Sequence, residues 1–152
     1  MTVQVEPAMV PRLGFSAREI HGLVAGLLRL LAGPGASLDL KITGDRDIQE
    51  LNHHFLGLTG PTNVLSFPSD EEGAHLGSVV VSADALLREC FLYEQPVTDH
   101  LVRLLAHAVL HLQGMDHGEA MDSLTEEAVA SAADLFGPAA ERDGECFQTA
   151  SG

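Results

Sequence analysis

The sequence predicts a single α+β domain: a small mixed four-stranded sheet covered by helices. Three observations carry this. Short apolar runs occur around Val3 and Val5, Leu38 to Ile42, Val64 to Phe67 and Leu76 to Val81, the first two alternating with the period 2 of strands. Longer stretches between and after them place apolar residues at helical period. The chain has 152 residues, 45% of them hydrophobic, which suits one sizeable core and no second domain.

Each element has its own local signals. Residues 1–6 alternate Val3 and Val5 with polar neighbours, a short edge strand. Ser16 with Glu19 forms a capping box, and the helix it opens carries one stripe: Ile20, Leu23, Val24, Leu27, Leu28 and Leu31. Gly33-Pro34-Gly35 ends it. Leu38, Leu40 and Ile42 alternate with Asp39 and Lys41 in a half-buried strand. Asp45 is expected to cap a short helix through Ile48, Leu51, Asn52 and Phe55, followed by a loop over Gly57 to Pro61. The two strands after it are separated by an acidic, turn-rich segment from Pro68 to His75. Ser82 caps a helix from Ala83 to about Tyr93. Thr98 and Asp99 open the next, which runs through Leu101, Leu105 and Val109 to Leu112, and Gly114 is its left-handed stop. Ser123 with Glu126 reads as a second capping box, for a last helix ending at Phe136 and closed by Gly137-Pro138. The order is β-α-β-α-β-β-α-α-α. Residues 1–138 form the domain; the tail, 139–152, lacks periodicity and is expected to be disordered.

Charge and composition exclude several functions. Acidic residues outnumber basic ones 22 to 8, a net charge of −14. A generic nucleic-acid coat or an anionic-membrane binder needs the opposite sign. A polyanionic partner must therefore be met locally, by a metal or a small basic patch. No apolar run approaches the roughly 18 residues of a membrane span. The first residues have neither a basic nor an apolar leader region, so no signal peptide is expected. Cys90 and Cys146 are too few for a disulfide framework and lack metal spacing. A cytoplasmic location fits, with no membrane and no DNA among the partners.

The chemistry concentrates in His107-Ala-Val-Leu-His111-Leu-Gln-Gly114-Met-Asp116-His117. His107 and His111 stand four apart on the predicted helix, stacked on one face roughly 6 Å apart along its axis. Two such imidazoles can share one ion at Zn–N distances of about 2.0–2.1 Å. Gly114 lets the chain turn back, and His117 can supply a third ligand. The spacing matches the ligand frame of the metzincin metalloproteases, with one difference: their Glu after the first His is Ala108 here. The expected site is thus zincin-like, with three neutral ligands, an open position, and one zinc or similar nitrogen-preferring divalent ion per chain. Asp116 is the candidate acceptor for a ligand N–H, and with His107 the candidate catalytic pair.

These residues resemble the signature of the YbeY family of bacterial rRNA maturation factors and metal-dependent endoribonucleases, whose pattern is close to H-G-x-L-H-L-x-G-x-D-H. Two further blocks agree. Leu51-Asn52-His53-His54-Phe55-Leu56-Gly57 and Pro61-Thr62-Asn63-Val64-Leu65-Ser66-Phe67-Pro68 resemble L-N-x-x-F-R-G and P-T-D-V-L-S-F-P. Leu76 to Ser82 resembles L-G-D-I-V-I-S. The resemblance spans about residues 38–117. It implies zinc held by His107, His111 and His117 over a small sheet, substrate contacts at Asn63 and Ser66, and a role with rRNA and the small ribosomal subunit or its assembly factors.

The chain departs from that pattern at three places. Leu56 stands where the family has a cleft arginine, and leucine cannot hold a phosphate. Asn63 and Ser78 stand where the family has aspartates, so both changes remove negative charge. Arg46 and Arg103 are the candidate replacement cations. His53 and His54 read as helix-surface residues or as one cleft donor; His75 as part of the acidic loop; His21 and His100 as ordinary helix residues. Ser66 has no evident base beside it, which argues against a serine nucleophile. The leading reading is a zinc-dependent endoribonuclease of small-subunit rRNA 3′ end processing. The alternatives are a zinc-stabilised assembly protein without nuclease activity, and a metallohydrolase of peptides or esters, against which the missing glutamate argues.

Overall fold

The computed structural model describes residues 1–56, 62–71 and 73–132, the Leu56 side chain excepted. Four strands form one mixed sheet: β1 (Thr2–Val5), β2 (Ser37–Thr43), β3 (Val64–Pro68) and β4 (His75–Ser82), in the order β1-β2-β4-β3. β2 runs parallel to both β1 and β4, and β3 is antiparallel to β4 at the edge. The helices are α1 (Val10–Leu13), α2 (Ala17–Leu31), α3 (Asp45–Leu56), α4 (Ala83–Tyr93), α5 (Val97–Leu112) and α6 (Glu119–Ala130). A 3-10 turn at Pro7–Met9 precedes α1; both are too short to show a period, so the sequence pattern does not announce them.

Strand alternation gives the sheet two unlike faces. Leu38, Leu40, Ile42, Val79 and Val81 point into the main core, where α2 and α5 bury their apolar stripes. Leu65 and Val80 point the other way and pack with Ile48 of α3 in a small second cluster, joined by Leu51 and Phe67. α5 is buried along most of its length, which is unusual for a helix carrying three histidines. Its histidines therefore sit where a large core fixes the backbone.

The capping box on α2 forms as expected: Ser16 Oγ accepts from the Glu19 N–H and Glu19 from the Ser16 N–H. Ser82 caps α4 by accepting from the Ala85 N–H at 3.1 Å. Three start sites differ from expectation. α6 opens at Glu119 with Gly118 as cap, so Ser123 lies inside the helix and Glu126 is bonded to Arg103 instead. α5 opens one residue earlier than Thr98, after Pro96. Asp45 does not cap α3 but is its first residue. Its carboxylate accepts from Ser82 Oγ and Arg88, while its own N–H donates to Asp84 at 2.9 Å. A carboxylate from another helix thus does the capping, favoured by the partial positive charge at the helix start. The expected Gly57 to Pro61 loop, the last helix beyond Ala132 and the 139–152 tail lie outside the described residues.

Gly77 marks the seam between β4 and β3. Its φ is +143°, and a Cβ there would collide with the Phe67 carbonyl oxygen and come within 2.9 Å of Pro68 Cα and Ser69 N. Only glycine lets the two strand backbones approach so closely.

Candidate functional site

A cleft of about 630 Å³ opens between edge strand β3 and helix α5. Asn63, Val64, Ser66 and Pro68 form one wall; Arg103, His107, Ala108 and His111 form the other, with His117 at the end. Register explains the first wall. Ser66 pairs with Val79 and Val64 with Val81, so both point to the α5 side of the sheet. The second wall follows from helical period, since 103, 107 and 111 repeat every four residues.

The turn after α5 brings in the third imidazole. Gly114 has φ +86° and its N–H donates to the His111 carbonyl at 2.9 Å. The Met115 N–H donates to the Leu110 carbonyl at 3.1 Å. These two bonds make a Schellman stop, which reverses the chain within one turn and carries His117 back toward the helix.

His107, His111 and His117 become mutual neighbours. Their ring centroids lie 6.1 Å (107–111), 5.6 Å (107–117) and 4.7 Å (111–117) apart. Two of the contacts are edge-to-face, a geometry the ring quadrupoles favour. Among the described residues, no group of three or more His, Cys, Asp or Glu side chains is arranged as it stands to hold a metal ion. The rings cluster, then, but the ready-made zincin-like ligand set expected from spacing is not what the side chains show.

His107 is the innermost of the three. Burial pushes its pKa below the usual imidazole value, and the nearby His117 and His111 lower it further. It is therefore the neutral form, with a free lone pair, that this position favours at pH 7. The buried Thr125 hydroxyl on α6 lies 3.3 Å from His107 Nδ1. When Nδ1–H donates to that oxygen, Nε2 is left as the acceptor nitrogen.

The other expected residues divide. Asn63 and Ser66 line the cleft. Asp116 is exposed on the turn and is not among the described lining residues. Ser78 pairs with Phe67 and so faces the α3 side, away from the histidines. The Leu56 side chain lies outside the described residues. Arg103 does reach the cleft, but its guanidinium is shared with Glu126 (3.1 Å) and Gln95 (3.2 Å). Arg46 does not line it. His53 and His54 line a separate hollow with Lys41, Asp47 and Glu50. His75 opens β4 rather than belonging to a loop, and its Nδ1 lies 3.0 Å from Ser37 Oγ. His100 lies in α5 as expected, but it is buried, with Nε2 2.8 Å from Glu89 Oε1. Sequence reasoning misses Glu89 and Thr125, since one more glutamate among 22 acidic residues and one threonine carry no signal.

Comparison with known proteins decides the family. The family model described as Endoribonuclease YbeY matches residues 16–132, well over half of the chain. The chain belongs to the YbeY family. Relatives named Endoribonuclease YbeY include that of Nitratidesulfovibrio vulgaris, 39% identical over 137 residues, covering 77% of this chain and 85% of that protein. The protein of Oleidesulfovibrio alaskensis is 37% identical over 134 residues, covering 73% and 79%. The solution structure of TM1509 from Thermotoga maritima shares the fold, with a TM-score of 0.57, 20% identity and 95% coverage of both chains. No helix among the described residues is long and apolar enough to cross a membrane.

Proposed function

We propose that this YbeY-family chain is a zinc-dependent endoribonuclease acting on rRNA, in small-subunit 3′ end processing. The observation that carries the proposal is the cluster of three imidazoles at one end of a cleft whose opposite wall offers Asn63 and Ser66. The names of its relatives point the same way.

The donor set fits a zinc ion. With Zn–N bonds of about 2.0–2.1 Å, three imidazole centroids around one tetrahedral ion lie roughly 5.3 Å apart. The observed 4.7 to 6.1 Å brackets that value, so the three rings are close enough to share one ion once their nitrogens turn toward it. The low pKa of His107 and the Thr125 oxygen behind its Nδ1 both favour the ligating form. When bound, such an ion supplies Lewis-acid stabilisation of a phosphodiester's charge and acidifies water.

The chain's own residues do the rest. Arg103 is the one cation among the described lining residues and offsets phosphate charge beside the histidines. Asn63 and Ser66 orient the strand through hydrogen bonds to sugar or phosphate. Buried Ala108 keeps that part of the wall small and offers no carboxylate, so the residue that follows His107 is not the base. Asp116, exposed beside His117, is a candidate to steady that ring.

The test is a small-subunit rRNA precursor incubated with purified protein, with and without chelator, beside a His107→Ala control. Chelator-sensitive cutting that the variant loses is the expected result. Chelation is also expected to lower the melting temperature, because a site absent from the unfolded chain couples binding to folding. One observation favours a second reading, a metal-stabilised assembly protein: Arg103 is already engaged by Glu126, and Leu56 supplies no cation. Metal content and ribosomal association without cutting would establish it, and Leu56→Arg would then be expected to gain cleavage.

A further inference from the structure

Behind the cleft wall lies a polar chain that neither the motif nor the family names explain. Asn63 Nδ2 donates to both oxygens of Glu89, at 3.2 and 3.3 Å. Glu89 Oε1 lies 2.8 Å from His100 Nε2, and the two side chains are only 23% and 9% exposed. The Asn63 backbone is held as well, its carbonyl accepting from the Ser82 N–H at 2.9 Å. His100 Nδ1 is buried with no hydrogen-bond partner among the described residues. A histidine in that position is a poor choice for packing alone, since one ring nitrogen is left unpaired. Its remaining bond is to Glu89.

We infer that Glu89, steadied by His100, is a positioning residue that sets the Asn63 amide for substrate in the histidine cleft. This rests on the RNA-cleaving role proposed above. The carboxylate takes an N–H from Asn63 and so fixes which way the amide turns. The second N–H and the carbonyl remain for a sugar hydroxyl or a phosphate. Charge explains why the residue is Asn and not Asp in this chain. An aspartate there would set a second carboxylate about 3.2 Å from Glu89, where two like charges cannot both persist. Asn63 and Glu89 are thus a matched pair, and changing one alone leaves the other misplaced.

A reciprocal swap tests this. Cleavage of a short single-stranded RNA would be measured, with KM and kcat separated, for Asn63→Asp, Glu89→Gln and the double variant. Melting curves would accompany each. Asn63→Asp is expected to raise KM by about tenfold and Glu89→Gln by about threefold, as for coupled neighbours. The double variant is expected to return to within about threefold of the parent, because the amide introduced at position 89 would then donate to the carboxylate introduced at position 63. Recovery of KM, with melting temperatures alike, separates positioning from a merely structural role. No recovery in the double variant, unchanged KM in Asn63→Asp, or losses that only track melting would overturn the inference. A parent that cuts while the variants cut equally well sinks this inference alone. A parent that cuts no RNA sinks the functional reading, and this inference with it.

Discussion

Among the described residues, two histidine-bearing hollows of similar size lie on opposite faces of one sheet. The cleft beside α5 measures about 630 Å³, and the hollow beside α3 about 580 Å³. The first holds His107, His111 and His117; the second holds His53 and His54. Neither size nor imidazole count distinguishes them well. Spacing and burial do. Residues four apart share a helix face, whereas adjacent residues diverge by about 100°. His107 and His111 stand on a helix buried in the main core, and a Schellman turn returns His117 to them. His53 and His54 are both exposed on the last turn of α3, beside Asp47 and Glu50, and His54 instead meets Phe55 edge-on at 4.7 Å. A site needs histidines that the backbone forces to face one another.

The largest expected effect tests that contrast. His107→Ala should cut metal content and lower RNA cleavage by at least about a hundredfold, since even indirect supports of ligands cost roughly 10 to 100-fold. His53→Ala and His54→Ala should leave both unchanged. Elemental analysis and single-turnover cleavage on the three variants check this. Equal losses in all three would erase the distinction between the hollows.

What the sequence reveals of this contrast follows from range. The i,i+4 pair, the glycine stop and the third histidine lie within 11 residues, and all three appear in the fold as read. The capping box at Ser16 and Glu19 is likewise local and forms. The box at Ser123 and Glu126 has the same letters and does not, because Glu126 is drawn to Arg103, 23 residues away in sequence. The supports of the site are equally distant: Thr125 reaches His107 across 18 residues, and Asn63 reaches Glu89 across 26. Such contacts exist only once the sheet has placed its helices. Whether the three rings close on an ion also depends on how each ring is turned, which spacing does not encode.

Gly77 holds β3 against β4, and β3 serves both the histidine cleft and the α3 cluster, so its loss should damage both. Gly77→Ala brings a Cβ into the Phe67 and Pro68 backbone and imposes an unfavourable φ. A loss of roughly 3 kcal/mol is expected, seen as a lower urea midpoint. β3 supplies Ser66 to the histidine cleft and Leu65 and Phe67 to the α3 side. Amide exchange in β3 should therefore rise together on residues of both faces. An unchanged midpoint would mean that the strand shifts freely, and that neither wall is rigid.

A milder change should separate the hollows again. Thr125→Val keeps the shape of a fully buried side chain and removes the oxygen 3.3 Å from His107 Nδ1. Metal affinity should fall by about tenfold, the low end for the loss of a ligand's outer partner. Competition with a chromophoric chelator measures it. Affinity equal to the parent's would show that the hydroxyl does not set the orientation of His107.

The smallest effect concerns the α3 side alone. Asp84 accepts the Asp45 N–H at the start of α3 and also pairs with Arg12. The backbone bond first, and Arg12 second, hold its carboxyl below the ordinary aspartate range. The folded pKa is depressed, so the stabilisation is complete above the unfolded value, about 4. It is lost as pH falls through the lower folded value. The side chain is 28% exposed, which keeps the effect below about 1 kcal/mol. Asp84→Asn should thus melt lower than the parent at pH 7 and converge with it toward about pH 2. α3 would loosen first, because the N–H of its first residue is held by Asp84 of another helix. A gap between the two melting curves that stayed constant throughout that acid range would assign the stabilisation to packing rather than to the carboxylate. The histidine cleft, anchored in the other face, should keep its metal affinity at pH 7 in this variant, and that independence is the narrowest form of the contrast between the two sides.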